Sequence, residues 1–298
     1  MSALPSRSFG SVGVAMVTPF HQDGSIDVEA AQALAVSLVD DGADLILLAG
    51  TTGEAPTTHL PEKQTLLREV KDALAGRAML MAGVGSNDTA HAVRIGIGSQ
   101  EAGGEALLIN APYYNRPSQE GVYQHIMAVV EATDLPVMLY DIPGRTGVKI
   151  EDATLDRLAA HERILAVKDA TGDVEQGFER MERTGLEYYS GDDGLNFAWL
   201  AHGASGVVSV VAHADAHSWR EMIQEVDAGD LSGARAVAQR MRPLVRAIMG
   251  GGQGAVMAKE ALFLQGRLPS ANLRLPLVRA SEKEITALRE TLEVCNLL

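Results

Sequence analysis

Eight short apolar runs recur along the chain at intervals of 20 to 33 residues. They begin at Val14, Leu45, Ala78, Ala106, Pro136, Ile164, Leu186 and Gly206. Each run has four to eight residues and lacks strict alternation of apolar and polar positions. That pattern is typical of strands buried on both faces of a parallel sheet, so the sequence predicts eight such strands.

Amphipathic stretches of about 10 to 15 residues separate these runs. The clearest cover residues 28–42, 61–76 and 89–104, and several end at Gly, which is a common helix stop signal. Pro61 stands where the fixed φ of proline suits the first turn of a helix. Eight β–α units in succession predict a (β/α)8 TIM barrel of the α/β class. An open doubly wound sheet is the alternative, but it seldom contains eight regular units.

The 85 or so residues after the eighth strand have the pattern of four helices. We expect these at 215–228, 231–248, 253–265 and 281–294. The first helix can complete the eighth barrel unit, and the others form a helical extension. We therefore predict a catalytic barrel over residues 1–225 and a C-terminal helical domain over 226–298, with the only soft spot at Gly250–Gly252.

Composition and charge narrow the class of protein. Of 298 residues, 46% are hydrophobic and 21% charged, which excludes a disordered chain. The net charge of −14 makes nucleic acid and anionic lipid unlikely partners, because both repel an acidic surface. No apolar run approaches the roughly 18 residues that a membrane span needs. The N-terminal apolar stretch is interrupted by Gly10, Gly13 and Pro19, which makes it a poor signal peptide. With Cys295 as the sole cysteine, we expect a cytoplasmic protein without disulfides that acts on small molecules.

Lys168 is the strongest candidate for chemistry, because it alone among six lysines closes a strand-like apolar run. Active sites of (β/α)8 barrels lie at the carboxyl ends of the strands. A lysine desolvated there has a lowered pKa and supplies a neutral, nucleophilic amine of the kind that forms Schiff bases. The alternative is a buried lysine paired with a carboxylate such as Asp169.

Other polar groups follow neighbouring runs at the same end of the predicted barrel. Tyr140 ends the fifth run, where it can transfer protons or simply pack. The segment GTTGE at residues 50–54 can hold a carboxylate with backbone N–H groups and hydroxyls, or form only a tight turn. Arg145, on a loop between Pro and Gly residues, suits bidentate capture of a carboxylate but is equally compatible with an ordinary surface position.

Signals for metals and nucleotides are weak. His213, Asp215 and His217 match no fixed metal-ligand spacing, and Asp192–Asp193–Gly194 fits a helix cap better than a magnesium site. The segment GGGQG at 250–254 lacks the ending of a phosphate-binding P-loop. We therefore expect neither a metal nor an organic cofactor, and a phosphate-binding barrel is disfavoured.

Six motifs in this order resemble the dihydrodipicolinate synthase family of pyruvate-dependent aldolases, and the resemblance runs from about residue 10 to residue 298. They are GTTGE (50–54), PYYNRPSQEG (112–121), YDIPGRTG (140–147), AVKDATGD (166–173), YSGDD (189–193) and GVVSV (206–210). The family fold is a (β/α)8 barrel with C-terminal helices, usually assembled as a homotetramer of two tight dimers. The family condenses pyruvate with L-aspartate 4-semialdehyde in diaminopimelate and lysine biosynthesis, without a metal or organic cofactor.

The resemblance also implies a role for each matching residue. Lys168 would form the imine with pyruvate, and Tyr140, Thr51 and Tyr114 would relay protons, with Tyr114 reaching in from a neighbouring subunit. The backbone at Thr52 and Val208 would contact pyruvate, and Arg145 would bind the carboxylate of the semialdehyde.

The chain departs from the feedback-inhibited members of this family, which bind lysine at a dimer interface. Asn87 and Tyr113 fit that pocket, but His91 replaces a Glu, Lys63 replaces a His and Ala55–Pro56 replaces Ser–Ala. Because the acidic partner for the lysine amine is lost, we predict weak or absent inhibition by lysine. Many members also carry Asn-Pro where this chain has GGGQGAVMAKEAL, so the shape of that loop stays open.

Two other functions compete with this interpretation. N-acetylneuraminate lyases and 2-keto-3-deoxy-sugar-acid aldolases share GTTGE, the Tyr and the Lys, but they generally lack the Arg that Arg145 represents. A catalytically inert barrel that serves as a binding subunit would be expected to have lost the reactive groups. Lys168, Tyr140, Thr51, Tyr114 and Arg145 are all present, which favours the synthase.

Overall fold

A computed structural model describes residues 4–250 and 253–298. Its eight strands are all parallel and close into a barrel in chain order, with β1 pairing with both β2 and β8. The strands are β1 (Val12–Ala15), β2 (Leu45–Leu48), β3 (Met79–Gly83), β4 (Ala106–Asn110), β5 (Val137–Asp141), β6 (Ile164–Asp169), β7 (Glu187–Ser190) and β8 (Gly206–Ser209). The predicted (β/α)8 barrel is thus confirmed, and each apolar run supplies one strand.

Helices cover the outside of the barrel between successive strands. They are α1 (Val28–Asp40), α2 (Leu60–Leu74), α3 (Thr89–Glu101), α4 (Gln119–Glu131), the short α5 (Pro143–Thr146), α6 (Asp152–Ala159), α7 (Val174–Thr184), α8 (Asn196–Ala201) and α9 (Ala216–Asp227). Polar residues start α1, α3, α4, α7 and α9, where a side chain accepts a hydrogen bond from an otherwise unpaired N–H group of the first turn; these residues are Asp27, Asp88, Ser118, Asp173 and Asp215.

The core has two layers because successive side chains of a strand point to opposite faces. Leu45, Leu47, Met81, Leu108 and Met138 fill the inside of the barrel. The intervening positions, with the apolar faces of the helices, form the larger layer outside it. Tyr140 belongs to this inner set, so its side chain faces the interior at the carboxyl end of the barrel.

Three further helices follow: α10 (Leu231–Met249), α11 (Gly254–Leu264) and α12 (Glu282–Val294). Apolar residues such as Leu244, Leu262 and Leu288 join them to the outer layer of the barrel core. The predicted domain division after residue 225 falls within α9 and stays a prediction. The expectation about the loop at 250–254 lies partly outside the described residues, because 251 and 252 are not among them. Within the described ranges, no helix is long and apolar enough to cross a membrane.

Candidate active site

Lys168 and Tyr140 lie side by side at the carboxyl ends of β6 and β5. They are register partners across the two strands, and the Lys168 Nζ atom is 4.4 Å from the centre of the Tyr140 ring. Lys168 is 4% exposed and Tyr140 8%, so both reactive groups are screened from bulk water. Their adjacency follows from the strand register, since each is the inward-facing residue nearest the end of its strand.

A cavity of about 280 Å³ opens above these two side chains. Its wall includes Thr51, Thr52, Glu54, Tyr140, Arg145, Lys168, Gly191, Val210, Gln253, Gly254, Pro276 and Leu277. The barrel loops therefore form one side of the cavity, and the segments around α11 and Pro276 form the other. This is the position in which (β/α)8 barrels hold their substrates.

Burial lowers the pKa of Lys168 to about 8, since the charged ammonium loses its hydration inside the barrel. The Asp193 carboxylate opposes this shift, and the Arg145 guanidinium adds to it. About one amine in ten is then neutral at pH 7, against about one in three thousand for an ordinary lysine. Lys168 is accordingly suited to attack a carbonyl group near neutral pH.

Asp193 is a buried carboxylate whose position is fixed by β8 and the turn that follows it. It accepts hydrogen bonds from Asn196 Nδ2 at 3.1 Å, from the N–H groups of Val210 and Val211 at 2.9 and 3.0 Å, and from Ser209 Oγ. Burial raises the pKa of Asp193, whereas these donors favour its ionised form. The segment does not cap α8, which begins after Leu195 without any side-chain cap; Asp193 instead accepts from the N–H groups at the start of the 3-10 helix Val211–His213.

Gly191 leaves the space that the Lys168 side chain occupies. A Cβ at this position would lie 2.9 Å from Lys168 Cε and 3.0 Å from the carbonyl oxygen of Asp169. Any larger residue would therefore displace the lysine or the strand.

Tyr140 is protonated at neutral pH. Burial raises the pKa of its phenol to about 12, although the nearby Arg145 guanidinium acts in the opposite direction. The hydroxyl can therefore both donate and accept a hydrogen bond next to the lysine.

The GTTGE segment is a tight turn at the end of β2. The Glu54 N–H donates to the Thr51 carbonyl at 3.1 Å, and Thr18 Oγ1 donates to the Gly53 carbonyl at 2.7 Å. Thr51 is exposed at the cavity mouth, whereas Thr52 is 8% exposed. Both threonines thus line the cavity as consecutive residues of one turn.

Tyr114 lies beside a second cavity of about 260 Å³ that also includes Thr51, Tyr140 and Arg145 in its wall. It has a positive φ of 74° and is 87% exposed, with its N–H donating to the Thr146 carbonyl at 3.3 Å. Tyr114 does not line the cavity of Lys168 within this subunit.

The structure brings most of the predicted site residues together. Thr51, Thr52, Tyr140, Arg145 and Lys168 share one cavity. Val208 does not reach that wall, because it points into the barrel interior with the inner core, and Val210 is the neighbouring residue that does.

Three residues have positions in the structure that the sequence did not predict. Gly191 and Asp193 surround Lys168 but occur in a segment that resembles an ordinary turn. Lys259 lies in α11, where it forms a buried ion pair with Glu54 whose Nζ–Oε1 distance is 2.5 Å. The sequence could have indicated this pair, because Lys259 and Glu260 are charged residues inside the otherwise apolar segment GAVMAKEALFL. A helix that is apolar on all sides is buried, so its charged residues need buried partners.

The weak metal candidate has a structural role. The Val17 N–H donates to His213 Nε2 at 3.0 Å, so Nδ1 carries the proton that His213 shares with the Val210 carbonyl at 2.7 Å. Burial lowers the pKa of His213 to about 4, which keeps the ring neutral. In the described part of the chain, no three His, Cys, Asp or Glu side chains are arranged to hold a metal ion.

The fold and the cavity define an enzyme of the (β/α)8-barrel class with a buried lysine at the end of a strand. The model of the Dihydrodipicolinate synthetase family matches residues 8–295. The chain belongs to this family.

Individual relatives agree with that assignment. A 4-hydroxy-tetrahydrodipicolinate synthase from Bifidobacterium longum (strain DJO10A) is 47% identical over 298 residues, which are 100% of this chain and 98% of the relative. Another from Kineococcus radiotolerans is 50% identical over 296 residues, covering 99% of this chain and 96% of the relative. The chloride-inhibited dihydrodipicolinate synthase from Acinetobacter baumannii complexed with pyruvate superposes with a TM-score of 0.94 at 32% identity, covering 98% of this chain and 100% of that one.

Proposed function

We propose that the protein is a 4-hydroxy-tetrahydrodipicolinate synthase that condenses pyruvate with L-aspartate 4-semialdehyde through an imine on Lys168. The observation that carries this proposal is the buried Lys168 amine beside Tyr140 in a cavity that also contains Arg145. Relatives with this name cover the full chain at 47 to 50% identity.

The first step is attack of the neutral Lys168 amine on the ketone carbon of pyruvate. Water leaves after protonation of the carbinolamine oxygen, and a protonated imine remains. Tyr140, Thr51 and a Tyr114 from a second subunit form the proposed relay for these protons. The N–H groups and hydroxyls of the Thr51–Thr52 turn hold the pyruvate carboxylate.

The imine then acts as an electron sink for carbon–carbon bond formation. The pyruvate methyl group loses a proton to give an enamine, whose terminal carbon attacks the aldehyde carbon of the semialdehyde. The aldehyde oxygen gains a proton and becomes the 4-hydroxyl. The substrate amine finally adds to the imine carbon, which closes the ring and releases Lys168 as a free amine. No step needs a metal or an organic cofactor.

Arg145 selects the second substrate in this proposal. Its guanidinium lies in the wall of the cavity, where a planar fork of donors can bind the carboxylate of the semialdehyde in bidentate fashion. Sugar-acid aldolases, the main alternative, act on aldehydes that lack this carboxylate.

The proposal extends to the assembly and the compartment. We propose a cytoplasmic homotetramer built from two tight dimers. Tyr114 is exposed and does not line the Lys168 cavity of its own subunit, which supports a contact through which it enters that of a second copy. Sedimentation of the purified protein tests this, and a monomer with full activity would contradict it.

Borohydride reduction in the presence of pyruvate tests the central step. We expect a pyruvate-derived adduct by intact mass, located on Lys168 by peptide mapping and lost in Lys168→Met. Lys63 and Lys259 are the appropriate internal controls, because burial also lowers the pKa of each to about 8. An adduct on either of them, or no adduct, would refute the assignment.

The second substrate is tested with Arg145→Ala. We expect KM for aspartate semialdehyde to rise at least tenfold and KM for pyruvate to change less than threefold, since one carboxylate contact is removed. Equal effects on both substrates would favour the sugar-acid aldolase instead.

Weak inhibition by lysine stays part of the proposal. His91 stands where the feedback-inhibited members carry a Glu, so an ammonium ligand in that pocket would lack its acidic partner. An inhibition curve that is complete at sub-millimolar lysine would contradict this expectation.

A further inference from the structure

Glu54, the last residue of the GTTGE turn, is attached to the C-terminal part of the chain through both of its carboxylate oxygens. Its Oε1 accepts a hydrogen bond from Lys259 Nζ at 2.5 Å, and its Oε2 accepts one from the Arg274 N–H at 3.0 Å. Lys259 lies on α11, and Arg274 lies in the segment after it. The turn that carries Thr51 and Thr52 is therefore tied to elements outside the barrel.

The Lys259 ammonium group is buried and has protein groups as its partners. Its Nζ atom also donates to the Asn272 carbonyl at 2.7 Å and lies 4.3 Å from the centre of the Phe20 ring. The side chains of Lys259 and Glu54 are each 1% exposed. Neither charge can reach water, so each depends on the other.

Stability alone is a poor reason for such a pair. Taking two charges out of water costs much of what their attraction returns, and well-packed apolar residues are often as stable. A buried pair does, however, fix one geometry, because any displacement leaves an unpaired charge in the interior.

The geometry that this pair fixes is that of the cavity wall. Glu54 has a left-handed φ of 55°, a conformation that a residue with a side chain keeps only when its surroundings hold it there. Its N–H closes the turn onto the Thr51 carbonyl, and its carbonyl accepts from the Thr57 N–H and from Thr58 Oγ1. Glu54 itself also lines the Lys168 cavity.

We propose that Glu54 and Lys259 are positioning residues whose buried ion pair holds the Thr51–Thr52 turn in the conformation that binds pyruvate. The inference rests on the proposed function, in which this turn holds the pyruvate carboxylate. It assigns to the C-terminal helices a part in substrate affinity, since α11 supplies the cation.

The experiment measures the rate of borohydride trapping of the full-length protein as a function of pyruvate concentration, per folded molecule. For Lys259→Met we expect the half-saturating pyruvate concentration to rise at least tenfold, with a smaller change in the maximal rate. A purely structural role would reduce the yield of folded protein and leave the half-saturation of the folded fraction unchanged.

Arg279→Met is the matched control. Arg279 binds the buried Glu260 through an Nε–Oε1 contact of 2.6 Å, so its loss also leaves a buried carboxylate unpaired one residue along α11. Neither residue touches the GTTGE turn, and we expect half-saturation to stay within twofold of the wild type.

If Lys259→Met fails to fold, the double variant Glu54→Gln/Lys259→Met replaces it in the test. It removes both charges together and leaves no unpaired charge in the interior. We expect at least a threefold rise in half-saturation here as well. Wild-type pyruvate dependence in the folded double variant would overturn this inference while leaving the proposed function intact. Failure of wild-type protein to form any adduct on Lys168 would instead overturn both.

Discussion

Among single residues, Lys168 shows most clearly how reactivity and stability oppose one another. Its amine is useful because the barrel interior favours the neutral form, but the same burial makes the protonated form costly in the folded state. A protein at neutral pH therefore loses folding free energy by placing a lysine there.

Replacing Lys168 by Met is expected to raise the free energy of unfolding by about 1–3 kcal/mol at pH 7 while abolishing pyruvate trapping. The folded pKa of about 8 lies below the ordinary value of 10.5, so the unfolded state binds more protons between these values. The gain should thus be largest below pH 8 and should vanish as pH rises to 10.5. Denaturant titrations at pH 7 and pH 10 check this, and an equal gain at both would contradict it.

Gly191→Ala is expected to reduce the rate of pyruvate trapping at least tenfold, because the added Cβ would lie 2.9 Å from Lys168 Cε. Gly96→Ala is the control, since its Cβ would meet its nearest neighbour, a Val129 methyl group, at 3.4 Å within α3. That variant should keep full activity and gain slightly in stability through higher helix propensity. The rate of pyruvate trapping is measured for both variants. Similar rates would show that Lys168 can shift away from the added methyl group without loss of reactivity.

At the scale of elements, Arg180 of α7 joins β5 to α6 behind the site, through Asp141 and Asp152. Asp141 and Asp169 are register partners that directly follow Tyr140 and Lys168, and they point outward. The Arg180 Nη1 atom is 3.2 Å from Asp141 Oδ2. Burial raises the pKa of Asp141 to about 6, and the guanidinium limits that rise. The cation therefore compensates a buried charge at the end of β5.

Arg180→Met is expected to cost about 3–5 kcal/mol of stability at pH 8, because Asp141 would stay buried without a cation. The loss should be smaller at pH 5. Without Arg180 the Asp141 pKa rises further above its unfolded value, so the folded state keeps its extra proton to higher pH and the penalty grows with pH. Arg77→Met breaks the exposed pair with Asp40 and should leave stability nearly unchanged. Chemical denaturation at both pH values measures this, and equal losses in the two variants would argue against the role of burial.

The sequence predicts the elements better than the contacts between them. Strand positions and helix limits follow from local apolar periodicity, so α12 was expected at 281–294 and occupies Glu282–Val294. The end of each strand likewise predicts Tyr140 and Lys168 as neighbours. The Glu54–Lys259 pair joins residues far apart in the chain, and no local pattern carries such a pairing. Val208 lies within β8 and packs in the inner core, whereas Val210 follows the strand and lines the cavity, a difference that the apolar run GVVSVV does not encode.

For the whole molecule, the C-terminal helices and the barrel share one apolar core. We expect thermal unfolding at fixed protein concentration to be a single transition in which tryptophan fluorescence and far-UV circular dichroism coincide. Trp199 on α8 and Trp219 on α9 report the barrel layer, whereas the dichroism reports every helix. Two separated transitions would show that α10 to α12 unfold independently.

Closure of the barrel by β1 and β8 has a consequence for synthesis of the chain. Val12 on β1 pairs with Val207 on β8. During synthesis, one edge of β1 therefore stays unpaired until β8, the last strand, has left the ribosome. Until then both edges of a growing parallel sheet expose unpaired backbone groups, which are templates for aggregation. Nascent chains should accordingly need chaperone protection until β8 has emerged, and a ribosome stalled before that point should hold a sheet that is still open.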